Sequence, residues 1–141
     1  MKRIILLPLL LCCNVLSLFA QTSLHIEPLF REYAVREDAT EILLTGKALK
    51  EYKLTDFHSL EIRSLETKDV LRIEQKLSAD VATAIIHEEN KREGRLLYGL
   101  YELPSSKQHI YIFYRHKPER LTLIHIQGRA TVDEMKAIFK K

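Results

Sequence analysis

The chain has two cysteines, no tryptophan, four glycines and four prolines in 141 residues. Both cysteines, Cys12 and Cys13, stand side by side in an apolar run near the N-terminus. Without that run the chain would hold no disulfide, no thiol nucleophile and no thiolate metal site, and its stability would rest on core burial alone. So few glycines and prolines leave no long linker, and no low-complexity segment or internal repeat is visible. Charge of one sign is also missing. The formal charge is +3, and Lys2 and Arg3 supply two of those positive charges, so 20 basic and 19 acidic side chains remain beyond them. A near-neutral mixture of signs exerts no net pull on phosphate, which excludes a nucleic-acid binder despite an isoelectric point near 8.8.

The one long apolar run is Ile4 to Phe19. It is shorter than the ~20 residues of a spanning helix, and Pro8 interrupts it. Lys2 and Arg3 precede it, Ala20 closes it, and the polar Gln21-Thr22-Ser23 follow. A positive head, an apolar middle and a small residue at the cut form the pattern of a secretory signal peptide. The expected organisation is therefore a signal peptide over residues 1–20, cleaved near Ala20, and a single domain over residues 21–141. The rival is a lipid anchor on Cys12 or Cys13. It needs a small residue before the modified cysteine, and Leu11 and Cys12 stand there instead. The expected location is periplasmic or secreted, with no membrane insertion once the signal is removed.

Along the remaining chain, Ile26, Leu29, Phe30 and Tyr33 recur at three- and four-residue spacing and predict a short amphipathic helix, with Pro28 in its first turn. Ala39 to Gly46 (ATEILLTG) reads as a buried strand. GKALKEY fits one or two helical turns with Leu49 and Tyr52 inward. FHSLEIRSL alternates as a strand does. Val70, Ile73, Leu77, Val81, Ala84 and Ile85 form one stripe, predicting a helix from about Lys68 to Lys91 with Gly94 as its left-handed cap. Three strands follow, Arg95–Leu103, Gln108–Arg115 and Arg120–Gln127, joined by four-residue turns. Thr131 and Glu134 make a capping-box pattern ahead of a last helix with Met135, Ile138 and Phe139 inward.

In that register Tyr98 and Thr122 flank Phe113, while Leu100 and Ile124 flank Tyr111. Leu97, Gly99, Tyr101, Ile110, Ile112, Tyr114, Leu121, Leu123 and His125 take the other face. Both faces are rich in apolar groups, whereas an antiparallel sheet ordinarily leaves one face wet. Either helices cover both faces or one face meets a partner. Tyr98, Tyr111 and Phe113 form the candidate interaction surface, an aromatic shelf with Glu102 and His109 near one end, if no helix packs there.

Catalytic patterns fail at specific residues. HEENK, His87 to Lys91, begins like a zinc-protease helix, but Lys91 stands where the second histidine must be. LTGKA lacks the phosphate loop's first glycine, replaced by Glu41, and the hydroxyl after Lys47, replaced by Ala48. Glu88 and Glu89, adjacent on the predicted helix, diverge. Histidines 25, 58, 87, 109, 116 and 125 match no ligand spacing, and His109 and His125 point to opposite faces. No Gly-x-Ser-x-Gly elbow is present. Arg115, Lys117 and Arg120 make a basic hairpin tip, read as a solvated turn. No catalytic, cofactor-binding or metal residue is assigned.

IEPLFREYAVREDATEILLTGKALKEY, GRLLYGLYELP and LTLIHIQGRATVDEMKAIF together resemble the small exported proteins of unknown function found in Bacteroidetes, over about residues 26 to 139. That resemblance implies an α+β domain behind an export signal and supplies no functional residues. The expected fold is thus α+β, a mainly antiparallel sheet of about five strands with helices packed mainly on one face. The expected function is a non-enzymatic protein-interaction module of the cell envelope, contacting an unknown envelope protein through a sheet face or edge. Pairing of two copies through a sheet face is a further expectation. The alternative is a small-ligand or glycan-fragment module using the aromatic face.

Overall fold

The computed structural model describes residues 24–139; the predicted signal peptide, its cleavage after Ala20, and Cys12 and Cys13 lie outside them. Six antiparallel strands form one sheet in the order β1-β2-β6-β5-β4-β3. They are β1 (Ala39–Thr45), β2 (Leu54–Arg63), β3 (Ile85–Arg92), β4 (Arg95–Leu103), β5 (His109–Lys117) and β6 (Arg120–Gly128). Three α-helices, α1 (Glu27–Ala34), α2 (Thr67–Asp80) and α3 (Val132–Phe139), and a 3-10 helix over Gly46–Tyr52 complete the described chain.

The class is α+β as expected, but the covering differs. One face of the sheet packs Leu60, Ile62, Tyr101, Ile112, Tyr114 and Leu123 against Leu29, Phe30 and Tyr33 of α1 and Val70, Ile73 and Leu77 of α2. The other face packs Leu100, Tyr111, Phe113, Ile124 and Ile126 against Leu49 of the 3-10 helix and Met135 of α3. Helices therefore cover both faces, two segments to each, which resolves why both faces are apolar. Each core excludes water from large side chains, worth roughly 1.5–3 kcal/mol apiece.

The sixth strand comes from the long helix the apolar stripe predicted. That helix stops at Asp80, and Ile85–Arg92 is β3 instead. Val81 and Ala84 still pack on the core from the connecting turn. Ile85 and Ile86 are β-branched neighbours, which lose rotamer freedom in a helix and suit a strand. Glu93 and Gly94, with φ of 52° and 79°, form a two-residue turn with both φ positive, the geometry that matches strand twist in a tight hairpin. Gly94 thus serves a hairpin, not a helix cap. Asp80 is fastened elsewhere: its carboxylate accepts the backbone N–H of His25 at 2.7 Å and of Ile26 at 2.8 Å, capping the start of α1.

The hairpin turns also differ from those predicted: the β5–β6 turn is two residues shorter, while the β4–β5 connection is two residues longer, Leu103 pairing with Ile110. Lys117 pairs with Arg120 across Pro118-Glu119, and Phe113 stands opposite Leu100 and Ile124, not Tyr98 and Thr122. The error is two residues, so the side-chain faces survive. One exception lies at Leu97, the extra residue where the β3–β4 register shifts; Leu96 turns into the α1–α2 core in its place. The predicted capping box is present: Thr131 N–H donates to Glu134 Oε1 at 3.1 Å, and Glu134 N–H to Thr131 Oγ1 at 3.3 Å. Arg129 and Ala130 both donate their N–H to the Lys53 carbonyl, bringing the end of β6 against the start of β2.

Candidate functional site

The predicted aromatic shelf lies beneath α3. Tyr111 is 0% exposed and Phe113 3%. Phe113 stacks on Phe139 of α3 at 4.3 Å between ring centroids, and Tyr98 meets the edge of Phe113 at 5.2 Å. Tyr111 O–H donates to the Ala130 carbonyl at 2.7 Å. Burial, and then the negative charge of Glu102 and Glu134, push the Tyr111 hydroxyl up to about 12. Tyr111 and Phe113 are core residues, and only Tyr98 reaches the rim, where Glu88, Glu89, Asn90 and Arg115 join it around a shallow depression of about 470 Å³. Its Arg115 lies over the Tyr98 and Phe113 rings at 5.5 and 5.3 Å. Arg120 faces Glu61 at 3.5 Å. Two of the three cations of the basic hairpin tip are therefore engaged within the fold.

Beside Tyr111, Glu102 takes a histidine on each carboxylate oxygen: His87 Nε2 at 2.8 Å and His109 Nδ1 at 2.5 Å. Burial alone pushes the Glu102 carboxyl up, but the hydrogen bonds from His109 and His87 outweigh it and hold it below the usual carboxylate range. His87 was placed on a helix by the apolar stripe, so sequence reasoning missed this cluster. As an extra residue where β3 slips against β4, His87 reaches the α3 face. His109 and His125 do lie on opposite faces, as expected. Among the described residues no group of three or more histidine, cysteine or acidic side chains is arranged to hold a metal.

On the α1 side, His58 and His125 are cross-strand partners on β2 and β6. His58 stacks on Phe30 at 4.0 Å, and its Nε2 meets Glu41 Oε2 at 2.6 Å. Arg31, Val35 and His125 join these three around a groove of about 490 Å³. Burial, and then the neighbouring His58, hold the His125 imidazole below its ordinary value. β2 and β6 are far apart in sequence, so no local pattern could pair their histidines.

Three consecutive apolar residues are exposed at one sheet edge. β1 was expected to be buried, yet Ile42, Leu43 and Leu44 are 45%, 64% and 40% exposed. A continuous apolar run marks a strand as buried only if another strand or a helix flanks it, and β1 pairs on one side alone, with β2. Tyr52, predicted to point inward, is also exposed, while Leu49 is buried as expected. An edge strand presents unpaired N–H and C=O groups, which proteins ordinarily blunt with charge, proline or bulges. The opposite edge, β3, exposes Ile85 and Ile86 at its start, but a register break at His87 follows them and Glu88, Glu89, Lys91 and Arg92 charge the rest. β1 pairs with β2 in unbroken register and carries one charge, Glu41.

Among the described residues no helix is long and apolar enough to cross a membrane. The chain matches a family of unknown function, DUF6108, over residues 13–139, and belongs to it. No curated protein and no solved structure matches the chain.

Proposed function

We propose that this member of a family without assigned function is an exported, non-enzymatic protein-interaction module of the cell envelope, and that it meets its partner through the free edge of β1. The single observation that carries the reading is the contrast between the two sheet edges. β3 is bulged and charged, while β1 is regular, apolar and open along its outer side. Strand addition on such an edge draws affinity from main-chain hydrogen bonds and specificity from alternate side chains. Export is supported by the positive, apolar and small-residue pattern of residues 1–20. In the alternative, a small-ligand or glycan-fragment module, Tyr98, Tyr111 and Phe113 would have to be open for stacking. The burial of Tyr111 and Phe113 under α3 removes that support.

The test is recovery of partners from envelope extract by the tagged chain and by its Leu43→Glu variant. Leu43 is well exposed, so a charge there spares the core while opposing an apolar strand laid alongside. Wild type is expected to retain an envelope protein that the variant loses. Identical recovery by both would overturn the edge as the interface.

A further inference from the structure

We infer that the partner of β1 is β1 of a second copy of this chain, paired antiparallel about a two-fold axis through Leu43. This rests on the reading of β1 as the interaction surface and adds the occupant and its register.

The phase of the existing ladder determines which groups are free. Arg63 N–H donates to the Asp38 carbonyl at 2.8 Å. Hydrogen-bonded pairs alternate along an antiparallel ladder, so Thr40, Ile42 and Leu44 exchange their bonds with Glu61, Ser59 and Phe57. The backbone groups of Glu41, Leu43 and Thr45 therefore point outward. Ala39 N–H is already used by the Arg36 carbonyl. A free edge of this phase can pair with its own copy in registers centred on neighbouring residues, and the side chains discriminate among them. Centring on Glu41 sets Glu41 against Glu41 of the copy, a like-charge contact that opposes pairing. Centring on Ile42 sets Glu41 against Leu43 and Thr40 against Leu44. Centring on Leu43 sets Leu43 against Leu43, Ile42 against Leu44 on both sides, and Glu41 against Thr45, whose hydroxyl can donate to it. Only the last register matches every apolar residue with an apolar one and leaves no carboxylate facing a carboxylate or an aliphatic chain. An isologous contact must be self-complementary in this way. The product is one sheet running through both copies, ended on each side by the charged, bulged β3.

The register makes the experiment specific. Ile42 and Leu44 of the copy form a pair outside the hydrogen-bonded positions, where Cα atoms lie about 4.5 Å apart, within the span of a disulfide. In the full chain carrying Cys12→Ser and Cys13→Ser, Ile42→Cys and Leu44→Cys are prepared separately, mixed and oxidised. The mixture is expected to form disulfide-linked dimers several-fold more than either variant alone, and Leu43→Glu in both is expected to abolish them. Sedimentation of the wild type at twice the mass of one chain, and of a folded Leu43→Glu variant at one chain mass, supports the pairing. A wild type that stays at one chain mass at every concentration overturns it. If that monomer nevertheless retains an envelope protein that Leu43→Glu loses, the edge reading stands with a different occupant. If its Ile42→Cys and Leu44→Cys thiols resist a maleimide, the chain's own residues before Leu24 are the cover. A dimer indifferent to Leu43→Glu overturns the edge altogether.

Discussion

Tyr111 and Ala130 are joined by a hydrogen bond of 2.7 Å from the phenol to the backbone carbonyl. It runs from the first half of β5 to the segment that leads into α3, and so binds that helix over the aromatic cluster. Tyr111→Phe keeps the ring and leaves the Ala130 carbonyl without this donor. A stability loss of about 1–2 kcal/mol is expected, read from urea midpoints. Phe113→Ala, which empties the space under Phe139, is expected to cost about 3–5 kcal/mol. If Phe113→Ala were as stable as wild type, α3 would not be packed as described.

Gly128 faces backbone. A Cβ there would come 2.5 Å from the Lys53 carbonyl oxygen and 2.6 Å from Leu54 Cα. Neither atom can swing aside as a side chain can. Gly128→Ala is therefore expected to destabilise by about 3 kcal/mol or more, by parting the end of β6 from the start of β2. Gly94→Ala meets no neighbour and strains only its turn, at about 1 kcal/mol. Thermal melts of the two variants give the ranking, and a reversed order would refute the close approach.

Above neutral pH the buried phenols determine the slope. Tyr111 titrates near 12 in the folded chain, against 10.0 for a free phenol. Its folded pKa is raised, so the contribution is fully present below about pH 10. It is lost as pH climbs from there towards the folded value, because the unfolded chain releases its proton first. Burial moves Tyr101 and Tyr114 in the same direction. Ultraviolet titration is expected to show delayed tyrosinate formation, with unfolding accompanying the late phase. Full ionisation at the free-phenol value without unfolding would contradict this burial.

On the acid side, burial, followed by His58, lowers the His125 value from 6.5. The unfolded chain takes up the proton first as pH falls. Stability is therefore intact above about pH 6.5 and declines below it. His116 acts in the same sense, for the same main reason, burial. Denaturant midpoints at about pH 7.5 and about pH 5 are expected to differ less in His125→Gln than in wild type. An unchanged difference would assign the acid sensitivity to other groups.

Periodicity within one element was legible; relations between elements were not. Leu29, Phe30 and Tyr33, like Met135, revealed their helices because burial on one side of a helix leaves a mark every three or four residues. Strands β4 to β6 revealed their faces for the matching reason, even with the register two residues out. The stripe from Val70 to Ile85 misled because Val81 and Ala84 pack on the core from a turn, so burial continued where helix did not. The aromatic shelf misled because exposure depends on where α3 lands, and nothing in Tyr98, Tyr111 or Phe113 reports that. ILLT in β1 misled most. The same apolar run suits the middle of a sheet and an unblunted edge, and strand order alone tells them apart.

The grip of Asp80 on the amides of His25 and Ile26 sets a boundary on N-terminal processing. A cut before Leu24 leaves both of these hydrogen bonds in place. Beyond it, each residue removed takes away a clasp that holds α1 to the end of α2, and the first helix is left to fray from the sheet. The start of α1 is thus held by a carboxylate more than fifty residues downstream.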